Sequence, residues 1–129
     1  MDDTVAFAKK EGYVETLFGR KRYIPEIYST SPMVRNSAER AAINMPIQGS
    51  AADIMKLAMI DVEKYIKTEP NTEVLLQVHD ELIVETPEGQ VDQIAQNMKK
   101  IMESAAKLDV PLIVDIESGP NWADLAKSV

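Results

Sequence analysis

The feature that most constrains the fold is a long helical pattern between Ala38 and Ile66. Its apolar residues lie nearly all round the helix, and a helix of that kind is typically buried within a protein body. Pro46 lies inside the pattern and cannot donate a backbone hydrogen bond to the carbonyl of Ala42. The sequence therefore predicts a long, mostly buried helix that is kinked or broken near Met45–Gly49.

Shorter elements are expected before this helix. Residues 2–11 have a helical pattern that Gly12 ends. Aromatic and β-branched residues then predict a β-hairpin with Gly19 in its connection. Its predicted strands are Tyr13–Leu17 and Tyr23–Ile27. A Ser- and Pro-containing loop follows, and Asn36 or Ser37 is expected to cap the long helix.

The second half of the chain predicts another hairpin, an amphipathic helix and a last strand. The apolar runs EVLLQV and LIVE form the hairpin strands. Thr86 is the expected helix cap, with Pro87 at the first helical position, and apolar residues then recur every three or four positions. The strand is expected at Pro111–Ile116, before a Gly119-Pro120 turn. The whole pattern predicts an α+β fold without an interdomain linker.

Composition and charge limit the functional classes. The chain has no cysteine, which excludes disulfides and thiol catalysis. No apolar run is long enough to span a bilayer and no signal-peptide core is present, so we expect a cytoplasmic protein without a membrane partner. The net charge is −7, but residues 1–60 carry eight Lys/Arg against seven Asp/Glu, and all four arginines lie there. This asymmetry fits a phosphate-binding half followed by a metal-binding half, and it fits ordinary surface variation equally well.

Polar residues are concentrated at the tip of the second hairpin. His79, Asp80 and Glu81 lie between two apolar strands, where Asn-Gly would be the usual turn. Adjacent strand residues point to opposite faces, so His79 and Asp80 are not expected to form a catalytic pair. Asp80 is better suited to bind Mg²⁺, which takes one or two carboxylates with phosphates and waters. A solvated turn without further function is an equally good explanation of these three residues taken alone.

A second candidate site lies on the long helix. Arg40, Asn44 and Gln48 are four residues apart and therefore share one side of it. They offer hydrogen-bond donors in series, and the DNA minor groove offers acceptors at every base pair irrespective of sequence. From spacing alone, the polar stripe of a surface helix remains the simpler interpretation.

The third candidate is a basic cluster in the first hairpin. Arg20 and Arg22 flank Lys21 at the predicted connection, where they are placed to contact backbone phosphates. Exposed hairpin tips are also commonly basic for solubility, so this cluster alone is weak support for DNA binding.

Together these segments resemble the end of family A DNA polymerases, the group of bacterial DNA polymerase I. The matching strings are GYVETLFGRKRYIPEI, ERAAINMPIQGSAADIMKLAM, LLQVHDELIVE and VPLIVDIESGPNW. They follow the family's order and spacing from about Gly12 to Trp122. The resemblance implies that residues 1–129 are the C-terminal part of a polymerase domain: a palm hairpin and a C-terminal strand packed with one long and one amphipathic helix, plus a small basic hairpin.

The resemblance also implies roles for the candidate residues. Asp80 would ligate catalytic Mg²⁺, with Glu81 beside the metals as the second catalytic carboxylate and His79 near the primer terminus. The helix row would contact the minor groove of primer-template DNA, and deoxynucleoside triphosphate would be the second substrate. The residues of that row are Arg40, Asn44 and Gln48.

The family's Asp-Tyr-Ser motif and its nucleotide-binding fingers helix do not occur in this sequence. Two-metal phosphoryl transfer needs more than one carboxylate, so we expect this chain to require the remainder of the polymerase for activity. The alternative is a non-enzymatic DNA-binding or partner-binding fragment of a split or truncated polymerase. An independent metal-dependent hydrolase has little support, because no second acid cluster or histidine accompanies Asp80.

Overall fold

The computed structural model describes residues 2–128 and has the expected α+β composition. Its strands form three separate two-stranded antiparallel sheets, β1–β2, β3–β4 and β5–β6. None of the helices in the described range is long and apolar enough to cross a membrane. The elements are α1 (Asp2–Glu11), β1 (Tyr13–Glu15), β2 (Lys21–Tyr23), α2 (Pro32–Ile66), β3 (Glu73–Val78), β4 (Glu81–Glu85), α3 (Val91–Glu103), β5 (Ile116–Ser118) and β6 (Ala126–Ser128).

The chain divides into two compact units, one up to Asp53 and the other from Ile54. The boundary falls inside α2, so the sequence offers no linker to reveal it. Each unit has its own hydrophobic cluster, and α2 contributes to both. The cluster of the first unit comprises Ala8, Val14, Ile24, Ile27, Ala38, Ala42 and Met45.

The first hairpin is present but shorter than predicted. Gly12 ends α1 with a φ of 83°, a left-handed conformation that glycine adopts without steric cost. The predicted second strand, Tyr23–Ile27, is wrong: strand pairing ends at Tyr23, and Pro25–Tyr28 forms a 3₁₀ helix. The reason is that Pro25 has no N–H to donate to a partner strand and its fixed φ suits the first position of a helical turn.

Helix α2 starts earlier than predicted and continues past Pro46. It begins at Pro32, so the expected cap at Asn36 or Ser37 is wrong. Proline is favoured at the first helical position, where its missing N–H has no intrahelical role. The helix is not broken at Pro46, and a kink there stays a prediction.

The expectation that α2 is buried on all sides is not met by contacts within the described chain. Ala38, Ala42 and Met45 are buried along one side of its first half. Met33 and Ile47, in contrast, are largely exposed. The apolar residues of α2 therefore do not all belong to the core of this chain.

In the second unit, α2 packs against α3 and the second hairpin. The amphipathic pattern of α3 is confirmed, because its regularly spaced apolar residues are buried against the end of α2. Thr86 does not cap α3. Its hydroxyl instead pairs with that of buried Thr72 at 2.9 Å, and a 3₁₀ turn at Glu88–Gln90 leads into the helix. The cluster comprises Ala58, Val62, Ile66, Ile94, Met98 and Met102.

The second hairpin has the predicted strands and a two-residue turn. Val78 pairs with Glu81, which leaves His79 and Asp80 as the turn residues. His79 has a φ of 53°, and the tight turns that join hairpin strands place a positive φ at this first position. The Gln77 side-chain amide donates to the His79 carbonyl and supports the turn.

The predicted strand at Pro111–Ile116 is wrong. Pairing starts only at Ile116, where β5 joins β6, a strand that the sequence analysis did not foresee. The backbone N–H of Val114 donates to the Glu103 carboxylate at 3.0 Å instead of to a strand. The turn between β5 and β6 follows Gly119-Pro120 as expected, and the Asn121 side-chain oxygen accepts two backbone N–H groups within it.

Replacing Ile94 with alanine should destabilise the second unit by about 2–5 kcal/mol, because the change opens a cavity in the core. Ile94 is 2% exposed. Ile113→Ala, at a side chain in the same unit that is 74% exposed, should change the free energy of unfolding by less than about 0.5 kcal/mol. Urea denaturation of the full chain measures both values. Equal losses would contradict the observed packing of α3.

The left-handed φ at His79 predicts how substitutions at this position rank by their free energy of unfolding. His79→Gly should unfold with an unchanged or higher free energy, because glycine adopts this φ without strain. His79→Val should cost about 1–2 kcal/mol, since a side chain with a branched β-carbon is disfavoured there. His79→Ala is the control: it removes the imidazole but keeps a β-carbon. If Gly and Ala were equally stable in urea denaturation, backbone strain would not be the cause.

Candidate nucleic-acid and metal-binding residues

Arg40, Asn44 and Gln48 form a line of exposed polar side chains on α2, here called the polar row. All three are exposed, and within residues 2–128 none has a hydrogen-bond or ion-pair partner. Pro46 lies between the second and third members. The predicted row therefore exists as an accessible set of donors, and its nitrogen groups remain available to an external acceptor.

The polar row faces away from the core of the first unit. At about 100° per residue, its three members cover about 80° of the helix circumference. Ala42 and Met45 are buried in the cluster on the other side. The same packing that buries the apolar side of α2 thus leaves the polar row open.

The connection of the first hairpin packs on α2 through Arg20. The Arg20 Nε lies 2.9 Å from Asp53 Oδ1, and its Nη2 donates to the Gly49 carbonyl at 3.3 Å. The Asp53 side chain is only 11% exposed, against 48% for Arg20, so this ion pair is partly shielded from solvent. Arg20, predicted as a phosphate contact, is therefore already engaged by the protein.

Further contacts fix the same connection to α2. The Leu17 backbone N–H donates to the Ser50 hydroxyl at 2.9 Å, and Ser50 is buried. A β-carbon added at Gly49 would lie 2.8 Å from Thr16 Cγ2, closer than real β-carbons approach other atoms. Gly49 is thus required for the close approach of the hairpin to the helix.

The other two basic residues of the cluster lie in β2 rather than in the connection. Arg22 is exposed opposite Val14 and has no ion-pair partner in the described chain. Lys21 lies over the Tyr13 ring, with its Nζ 4.5 Å from the ring centroid. Arg22 consequently has the more accessible positive charge of the two arginines.

The tip of the second hairpin presents two accessible carboxylates. Asp80 lies in the turn and Glu81 is the first residue of β4. Both are exposed and, in the part of the chain that the structure describes, unpaired. No hydrogen bond joins His79 to Asp80 among these residues.

These carboxylates fit part of a magnesium site. Carboxylate oxygens are the hard donors that Mg²⁺ prefers, and the ion commonly takes only one or two of them from a protein. No three His, Asp or Glu residues in the described range come close enough together to hold a metal on their own. Asp80 and Glu81 can therefore supply protein ligands to a site that other groups must complete.

Sequence reasoning missed the residues that receive the first hairpin on α2. The sequence places Asp53 and Ser50 within the helical pattern and Gly49 at its predicted kink, and it predicts no contact with the hairpin for any of them. Asp53 is 33 positions from Arg20, and a contact at that separation has no local spacing that would reveal it. The polar row belongs to the first unit of the chain and the hairpin tip to the second.

Comparison with known proteins tests the resemblance directly. The sequence profile of DNA polymerase family A matches residues 1–124. DNA polymerase I of Bacillus subtilis is 51% identical over 96% of this chain, and that of Deinococcus radiodurans is 48% identical over 96%. The matches cover only 14% and 13% of those two relatives, so this chain spans a small part of their length.

A solved structure gives the same result at the level of the fold. The polymerase domain of Pol1 from M. smegmatis, in complex with DNA primer-template and dNTP, superposes with a TM-score of 0.82 and 51% identity. The match covers 86% of this chain and 20% of that one. With the profile match over nearly all its residues, these similarities show that the chain belongs to DNA polymerase family A.

Proposed function

We propose that this chain is the C-terminal part of a DNA-directed DNA polymerase domain and binds the primer-template near the primer end. In the complete enzyme, the primer 3′-hydroxyl attacks the α-phosphate of a deoxynucleoside triphosphate and pyrophosphate leaves. Family membership supports this reaction, as does the DNA and dNTP complex of the M. smegmatis polymerase domain. The activity belongs to the complete polymerase, since the chain spans about one seventh of its Bacillus subtilis relative.

The observation that carries the proposal is the open polar row on α2. Arg40, Asn44 and Gln48 point away from the core and keep their donors unpaired within the described residues. Purine N3 and pyrimidine O2 atoms line the minor groove at every base pair, so a series of donors can bind duplex DNA irrespective of sequence. This property is what a polymerase needs from a surface that holds newly made duplex.

The hairpin tip is the proposed catalytic contribution of the chain. Asp80 would hold a magnesium ion, with Glu81 beside it, because both carboxylates are exposed and unpaired in the described chain. When bound, Mg²⁺ stabilises the negative charge that develops on the phosphate oxygens during nucleotidyl transfer. The remaining ligands would come from other parts of the polymerase and from the substrate.

The remaining candidate residues would position the DNA. His79 is at the same turn as Asp80 and is exposed, which suits a contact near the primer terminus. Arg22 has an accessible charge for a backbone phosphate. A direct phosphate contact by Arg20 stays a prediction, and its ion pair with Asp53 offers another role for the same side chain.

The test polymerase is Bacillus subtilis DNA polymerase I in which residues of this chain replace the matching segment. Arg40→Ala, Asn44→Ala and Gln48→Ala should each weaken primer-template binding by about 1 kcal/mol, or about fivefold, through loss of a hydrogen bond. If Arg40 reaches a phosphate, its variant should also reduce the log–log salt slope by about 0.9. Titrations at several salt concentrations, on A·T-rich and G·C-rich duplexes, measure these effects.

The matched control is Gln93→Ala, which removes an exposed glutamine from α3. It should leave binding unchanged. The losses in the three row variants should be the same on both duplexes, because minor-groove acceptors recur in every sequence. Wild-type affinity in all three variants would reduce the polar row to a solvated helix face.

Asp80→Asn should separate chemistry from binding in the test polymerase. The change keeps the side-chain shape but removes a metal-binding charge, so single-turnover incorporation should fall on the order of 100-fold or more. Primer-template affinity should be retained or slightly higher, because a negative charge near phosphates is lost. Glu81→Gln should reduce the rate less.

Glu85→Gln serves as the control, since it makes the same carboxylate-to-amide change at an exposed position of β4. It should incorporate nucleotide at the wild-type rate. Near-normal incorporation by Asp80→Asn would contradict the metal-ligand role. Equal losses of rate and DNA affinity would indicate a structural turn.

A further inference from the structure

The polar row crosses a weak point of α2. Pro46 has no N–H and leaves the carbonyl of Ala42 without its usual helical partner. Asn44 lies before this gap and Gln48 after it. The helix can therefore bend or rotate between these two side chains more easily than elsewhere, and their alignment depends on other contacts.

The first half of α2 is held by the core. Ala38, Ala42 and Met45 are buried in one cluster with Val14 and other residues of the first hairpin region. Val14 is 1% exposed and belongs to β1. The hairpin thus contacts α2 through apolar packing on the N-terminal side of Pro46.

The next turns of α2 are held by the same hairpin through polar contacts. The Leu17 N–H donates to Ser50 at 2.9 Å, and the Arg20 guanidinium binds Asp53 at 2.9 Å and the Gly49 carbonyl at 3.3 Å. All three receiving residues lie on the C-terminal side of Pro46. The hairpin therefore contacts α2 on both sides of the proline.

The hairpin connection is itself braced. Thr16 N–H donates to the Arg20 carbonyl at 3.0 Å, and Gly19 N–H donates to the Thr16 carbonyl at 3.0 Å. The Thr16 hydroxyl accepts the N–H groups of Phe18 and Arg20, each at 3.2 Å. These four hydrogen bonds fix the backbone of the connection and therefore the point from which the Arg20 side chain extends.

We propose that the first hairpin stabilises α2 on both sides of Pro46, an arrangement here called the splint. Arg20 and Asp53 are positioning residues in it that keep Gln48 in line with the rest of the polar row. This inference rests on the proposed function, because the alignment matters only if the row binds DNA. The splint acts from the opposite side of the helix. At about 100° per residue, Gly49 and Asp53 point about 100° and 140° away from Gln48.

The splint and a direct phosphate contact by Arg20 predict opposite effects of Asp53→Asn. If Arg20 binds phosphate itself, removing the nearby negative charge should strengthen DNA binding or leave it unchanged. If Arg20 acts through α2, the same change should weaken binding as Arg20→Ala does. The salt slope separates the two roles further, because only a lost phosphate contact reduces it by about 0.9.

The experiment measures primer-template affinity of the test polymerase against salt. Arg20→Ala and Asp53→Asn should each weaken binding about fivefold, because a displaced Gln48 loses its hydrogen bond to the groove, with an unchanged salt slope. The double variant should lose no more than Arg20→Ala alone, because Arg20→Ala already removes the ion pair with Asp53. Asp61→Asn, at an exposed unpaired carboxylate on α2 in the described chain, should not weaken binding.

Pro46→Ala provides the rescue. Alanine is a strong helix former and supplies the N–H that Pro46 lacks. In this background α2 should no longer need the splint. In the Pro46→Ala background, Asp53→Asn should lower the logarithm of the affinity by at most about half as much as it does in the wild-type background. A full fivefold loss in that background would overturn the splint.

A measurement without DNA keeps the inference separate from the proposed function. In the full 129-residue chain, Asp53→Asn should speed backbone hydrogen exchange around residues 47–53 relative to wild type and Asp61→Asn. Faster exchange with normal DNA binding in the polar-row variants would mean that the proposed function has failed. DNA binding that depends on the row but is strengthened by Asp53→Asn, or is reduced by Arg20→Ala with a smaller salt slope, would overturn the positioning role.

Discussion

Burial of the apolar residues of α2 is the constraint on which the rest of the structure depends. The first half of the helix supplies Ala38, Ala42 and Met45 to one cluster, and the second half supplies Ala58 and other apolar residues to another. Each hairpin region and α3 packs against one of these clusters. Within each unit, the burial of these apolar residues decides which side chains of α2 are left exposed.

Polar side chains left unpaired at the surface mark the candidate site. The row that contains Arg40 has accessible nitrogen donors, and the hairpin tip at Asp80 has accessible carboxylates. The two sets have different chemical partners. The donors suit the groove acceptors and phosphates of duplex DNA, and the carboxylates suit a metal ion, which requires oxygen ligands. Membership in DNA polymerase family A supports the roles proposed for these two sets of side chains.

Arg20 illustrates how a positively charged side chain beside the candidate site is held by the protein itself. Its guanidinium is bound by Asp53 and the Gly49 carbonyl, so its position is determined by the helix. Gly49 permits the approach, since any β-carbon there would collide with Thr16. Asp53 meets the electrostatic requirement of this contact, and Gly49 meets its steric requirement.

The sequence by itself determined the α+β class, the two hairpins, the amphipathic α3 and the family, because periodicity, turn residues and long motifs are local properties of the chain. It also determined that Arg40, Asn44 and Gln48 share a helix side and that His79 and Asp80 occupy a turn. Local propensity did not determine where strand pairing stops. At Pro25 the missing N–H ended the ladder, and near Val114 a bond to Glu103 took the place of a partner strand.

Only the tertiary structure decided which polar side chains are engaged and which are open. Thr86 pairs with Thr72 instead of capping α3, and Arg20 pairs with Asp53 across 33 positions of sequence. Such contacts depend on how elements pack, and the spacing of residues along the chain carries no record of them. The row is accessible because a helix whose apolar side is buried turns its other side outward. Arg20 is fixed because Asp53 and Gly49 lie on the side of α2 that receives the first hairpin.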